Sequence, residues 1–81
     1  MEITSLEGPS KFLEIIGDSP RNRIIDFLLG EINYDFTLKE IAIKSKVGYA
    51  TIKRIWKNFI SSGLVKETRK VSKAIFYTYN T

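Results

Sequence analysis

Acidic residues are absent from Val47 to Lys66, while apolar residues recur through the same stretch at the spacing of a helix. No other feature of the chain constrains its fold as much. Ile52, Ile55, Trp56 and Phe59 stand at i, i+3, i+4 and i+7 and predict one apolar stripe facing a core. On the other side Ala50, Arg54, Lys57 and Ser61 follow one another, flanked by Thr51, Lys53 and Asn58. An acid-free polar face suits a polyanion, whereas the plainer reading is an amphipathic helix whose charges are simply solvated. Gly63 stands where a helix end tolerates positive φ, and the β-prone pair Leu64 and Val65 begins another element, so a helix is expected near 49–62.

Upstream, Pro9 and Ser10 offer a start and Gly17 a stop for a short helix near 10–16, with Phe12, Ile15 and Ile16 on one face and Leu13 beside them. Two turns are marginal alone, so this helix is expected to pack either on its own domain or on the same helix of a second subunit. Ile3, Leu6, Phe12, Leu13 and Ile16 are the candidate dimer contacts, and residues 1–9 read as a frayed lead-in or a first helical turn. Asp18, Ser19 and Pro20 then cap and open a helix over 20–29. Its run of Ile24, Ile25, Phe27, Leu28 and Leu29 predicts burial on more than one side. Arg21 and Arg23 oppose the helix dipole in that first turn, which points to a phosphate or a carboxylate nearby, or to solvent alone.

The connection after Gly30 carries Asn33, Tyr34 and Asp35, with room for a very short strand. Thr37 and Glu40 form the capping box T-L-K-E and start a helix over 38–45, buried through Leu38, Ile41 and Ala42. Lys46, Val47 and Gly48 make a turn of the length that joins the two helices of a helix-turn-helix, Val47 pointing inward. Beyond the basic helix, strands near 64–69 and 74–79 flank Lys70, Val71, Ser72 and Lys73, and Arg69, Lys70 and Lys73 give the hairpin a basic tip. Alternation sets Ile75, Tyr77 and Tyr79 against Ala74, Phe76 and Thr78, and the aromatics are expected in the core rather than as base-stacking platforms. The fold class expected is mostly α with a small β-hairpin (α+β), one domain over residues 1–81.

With 43% hydrophobic and 27% charged residues the chain has enough to bury and does not resemble a disordered tail. The absence of Cys and His removes thiolate and imidazole metal sites and the commonest acid–base catalyst. Asp18, Asp26, Glu31, Asp35 and Glu40 show no metal-loop spacing, and neither a phosphate loop nor a nucleophile motif accompanies them, so no enzyme, no cofactor and no metal are expected. No long apolar run and no leader are present, which predicts a cytoplasmic protein without a membrane segment. The net charge of +4 is divided unequally, since residues 1–46 hold six basic and eight acidic groups and residues 47–81 hold seven basic groups and Glu67 alone. The halves therefore stand at −2 and +6, and the basic half favours nucleic acid over mere solubility.

The complete order resembles winged helix-turn-helix transcription regulators of the ArsR and MarR type. Asp18, Arg21, Ile24, Ile25 and Leu28 are similar to the family's opening D-x-x-R-x-x-I-L-x-x-L helix, with Pro20 one place later than is usual. Val47, Thr51, Ile52, Arg54, Trp56, Phe59, Gly63, Leu64 and Val65 fit V-x-x-x-T-V-x-R-x-L-x-x-L-x-x-x-G-L-V position for position, and the resemblance spans about residues 12–79. It implies that Gly48, Tyr49, Ala50, Thr51, Lys53 and Arg54 enter the major groove of double-stranded DNA, with Lys57 near phosphate. Arg69, Lys70 and Lys73 would form a wing on backbone or minor groove. Arg54 and Thr51 are the first candidates for base readout, because Arg pairs bidentately with guanine and Thr meets a base or a thymine methyl.

The departures are equally informative. Metal sensing through Cys or His does not carry over, and no C-terminal dimerisation helix follows the second wing strand, so a homodimer would use Ile3 to Ile16. Ile43, Ile55 and Ile60 stand where the family usually has polar residues, marking a wider core or a partner surface. The leading expectation is a sequence-specific double-stranded DNA-binding transcription regulator. The alternatives are a protein-interaction module docking through exposed Ile43, Ile55 and Ile60, or a non-specific architectural DNA binder.

Overall fold

Capping and turn chemistry divide the chain into its elements. A computed structural model describes Leu13, Ile15 and residues 17–80, with helices α1 (Pro20–Gly30), α2 (Leu38–Ser45) and α3 (Tyr49–Ser61) and strands β1 (Val65–Val71) and β2 (Ala74–Tyr79). This is a small α+β domain of three helices and an antiparallel hairpin. The Ser19 side chain accepts the Asn22 N–H to start α1. Thr37 and Glu40 exchange both bonds of the capping box at the head of α2. Gly63, at φ 80°, lets the chain leave α3 and enter β1.

One stripe from each helix meets in the core. Ile24 and Leu28 come from α1, Ile41 and Ala42 from α2, Ile52, Ile55, Trp56 and Phe59 from α3, joined by Val47 and Val65. Aromatic rings close its edges: Phe27 lies 4.9 Å from Phe36, and Trp56 meets Tyr77 edge-on at 5.2 Å. Tyr77 and Tyr79 of the hairpin therefore serve the core, as their alternation suggested.

Several boundaries and faces differ from the sequence expectation. β1 runs to Val71, not to residue 69, because a bulge at Thr68 absorbs one residue and Ser72, at φ 57°, permits a loop of Ser72 and Lys73 alone. α1 is covered on three adjoining sides, with Ile25 and Phe27 partly buried against the core to either side of its fully buried stripe, but not all round. Ile24 and Leu28, four apart, are covered, whereas Leu29 is 41% exposed on another side.

Of the predicted helix near 10–16, Leu13 and Ile15 are described, and both are helical. Leu13 is buried but Ile15, placed by sequence on the apolar face, is 81% exposed, as two residues apart on a helix must diverge. Leu13 is thus covered within the single chain, and the other candidate dimer contacts, Ile3, Leu6, Phe12 and Ile16, lie outside the described residues. Among the described residues no helix is long and apolar enough to cross a membrane.

The connection before α2 is joined to the hairpin. Phe36 and Tyr77 form an isolated antiparallel bridge, with N–H···O distances of 2.9 and 2.8 Å. This is the very short strand that the connection had room for.

Candidate functional site

The start of α3 is set by how α2 stops. Lys46 takes the left-handed conformation at φ 60° and its N–H reaches the carbonyls of Ala42 and Ile43. Val47 then donates to the Ala42 carbonyl and plugs into the core, leaving Gly48 extended as the N-cap of α3. Gly48 has no side chain with which to cap, and α3 has no acid in its first turn. The first amides of α3 therefore keep their positive end open to solvent or an anion.

Burying Ile52, Ile55, Trp56 and Phe59 turns the remaining face of α3 outward. Tyr49, Ala50, Lys53, Arg54 and Lys57 are exposed and Thr51 is half-buried. The Lys53 ammonium sits 5.4 Å from the Tyr49 ring centre. Among the described residues, neither Lys53, Arg54 nor Lys57 has a carboxylate within ion-pair distance.

Two grooves flank the head of α3. One, of about 240 Å³, is bordered by Arg23 and Lys46 together with Gly48 and Thr51. The other, of about 330 Å³, runs between Lys39 at the head of α2, Tyr49, and Lys73 and Ile75 of the hairpin. Gly48, Tyr49, Thr51 and Lys73, scattered over the sequence-predicted site, are thus brought to one region. Lys39, Lys46 and Arg23 border it too, and the sequence reading did not include them among the site residues. For Arg23 a signal existed in its unfavourable place in a helix first turn.

Arg23 answers that placement with a carboxylate. Its guanidinium pairs with Asp18 through Nε and Nη2, and its Nη1 donates to the Lys46 carbonyl at 3.3 Å. The bonds from Arg23 hold the Asp18 carboxyl below its ordinary range, against the opposing effect of burial. Arg21 points elsewhere, its Nη1 donating to Asn58 Oδ1 at 3.4 Å and its charge 5.9 Å from the Phe59 ring centre.

The hairpin cations divide. Lys70, Lys73 and Arg69 are all exposed, but Arg69 lies below the loop and donates to both oxygens of Asp35, at 2.8 and 3.1 Å. Of the three isoleucines read as a possible partner surface, Ile43 is 76% and Ile60 43% exposed, while Ile55 is buried at 7%. Ile55 therefore belongs to the core stripe and cannot dock a partner. No group of three or more His, Cys, Asp or Glu gathers among the described residues. No protein-family model matches the chain, and no curated protein matches it in sequence.

Proposed function

We propose that this protein is a sequence-specific double-stranded DNA-binding transcription regulator with a winged helix-turn-helix architecture similar to the ArsR and MarR type. In this reading α2 and α3 are the helix-turn-helix, α3 is the recognition helix and the β1–β2 hairpin is the wing. The observation that carries it is the exposed face of α3, where Lys53, Arg54 and Lys57 lack a carboxylate partner among the described residues and the uncapped helix head lies between two basic-rimmed grooves. Such a face neutralises phosphates while leaving Arg54 and Thr51 free for base edges. Lys57 holds backbone, and Lys70 and Lys73 reach phosphate or the adjacent minor groove. A homodimer of this cytoplasmic regulator would read a two-fold related site, its half-sites about one helical turn apart.

The test is fluorescence-anisotropy binding to a labelled duplex from the protein's own upstream region and to a scrambled duplex, each across a salt series. Tight binding to the native duplex with a steep salt dependence supports the regulator. Equal binding to both duplexes favours a non-specific architectural role. Absence of binding at low salt rejects the DNA reading in favour of a protein-interaction module, whose contacts would then be Ile43 and Ile60 without Ile55.

A further inference from the structure

Three successive residues of the connection before α2 hold the hairpin. The Tyr34 carbonyl accepts from the Thr78 hydroxyl at 2.9 Å, and Phe36 bridges Tyr77, so both grip β2. Asp35, between them, reaches β1 instead. Its carboxylate takes the Thr68 hydroxyl and the Nε and Nη2 donors of Arg69. Neighbouring strand side chains normally face opposite ways, and it is the bulge at Thr68 that lets Thr68 and Arg69 converge on one acid. Phe76, paired with Arg69 across the hairpin, supports the guanidinium from below at 4.1 Å.

The Nε and Nη2 donors with which Arg69 would fork a phosphate side-on are therefore occupied, among the described residues its Nη1 end stays open on a side chain 56% exposed, and the adjacent carboxylate offsets its charge. Between Arg69 and the loop stand Lys70 and Val71, a lever of about 10 Å at strand rise, so a tilt of about 10° at the clamp moves the tip by about 2 Å. We infer that Arg69 is a positioning residue for DNA binding: with Asp35 it fixes the angle at which the hairpin presents Lys70 and Lys73, and it makes no phosphate contact of its own. This inference rests on the DNA-binding reading above.

The two roles of Arg69 predict opposite signs for Asp35→Asn. Were Arg69 a phosphate ligand, removing the acid would free it and tighten binding. As a clamp, Asp35→Asn weakens binding about three- to fivefold, the scale of an exposed ion pair. Arg69→Lys, which keeps the charge but not the fork, does the same, and the double variant loses no more than either alone.

The salt slope separates clamp from ligand. Lys70→Ala lowers it by about 1, whereas Asp35→Asn and Arg69→Lys leave it unchanged. Tighter binding by Asp35→Asn, or wild-type binding by Arg69→Lys, overturns the proposal. Hydrogen exchange on the free protein gives a second readout that needs no DNA. The Tyr77 amide, bonded to the Phe36 carbonyl, exchanges faster in Asp35→Asn than in wild type. Unchanged exchange refutes the clamp even if the wild-type chain binds no duplex, an outcome that would refute the DNA reading separately.

Discussion

α3 and the hairpin are both basic, yet they hold their charge in different ways. On α3, Lys53, Arg54 and Lys57 stand on the side away from the core with no carboxylate in reach among the described residues. On the hairpin, one of the four cations, Arg69, is tied to Asp35, which lies 34 residues earlier in the chain. The acid-free run from Val47 to Lys66 covers all of α3 but ends within β1. Counting charges along a segment therefore describes the field of α3 well and overstates that of the hairpin, because Asp35 arrives from a different part of the fold.

The largest expected effect separates the two faces of α3. Ile52 is fully buried and Lys53 beside it is exposed. Ile52→Ala is expected to lower stability by about 2–5 kcal/mol, and Lys53→Ala to change it by less than about 0.5 kcal/mol, in urea unfolding followed by circular dichroism. Equal losses would mean that α3 has no distinct outward face.

Next in size, Arg54→Ala is expected to cost about 1–3 kcal/mol of DNA binding and to relax base preference, with Lys73→Ala weakening all sequences alike. Binding measured against a panel of single-base variants checks both. A uniform effect of Arg54→Ala would move it from readout to backbone.

A backbone test applies where α3 hands over to the hairpin. Gly63 has φ 80° and an added Cβ would find nothing within 4 Å, so Gly63→Ala costs about 1–2 kcal/mol through conformation alone. Thermal unfolding measures it, and a neutral result would show that the junction relaxes to another geometry.

The smallest effect concerns the ion pairs Asp18–Arg23 and Asp35–Arg69. Hydrogen bonds from Arg69 and Thr68 hold the Asp35 carboxyl below its ordinary value, as those from Arg23 do for Asp18. An ordinary Asp titrates near about 3.9, so with both folded values depressed the stabilisation is complete above that point and is lost as pH falls below it. The unfolding midpoint should be level with respect to these groups from about pH 5 to pH 8 and should decline in acid, more gently in Asp35→Asn. An identical acid decline in the variant would show that the pair contributes nothing measurable.

Much of the fold was legible because its signals are local. The box at Thr37 and Glu40, the cap at Ser19, the stop at Gly63 and the 3.6-residue stripe of α3 each act within a few residues, and each appears where the sequence placed it. Composition and periodicity alone thus determined a small α+β chain with an apolar stripe and an acid-free face on one helix. They did not decide which apolar residues would remain outside, since Ile24, Leu29 and Ile43 look alike in sequence and only the packing of three helices buries Ile24 and exposes the others. Nor could they decide the pairing of Asp35 with Arg69, or the meeting of Lys39, Tyr49 and Lys73 at one groove. Burial and ion pairing depend on which distant segments come within a few ångströms, and only the tertiary structure brings them there.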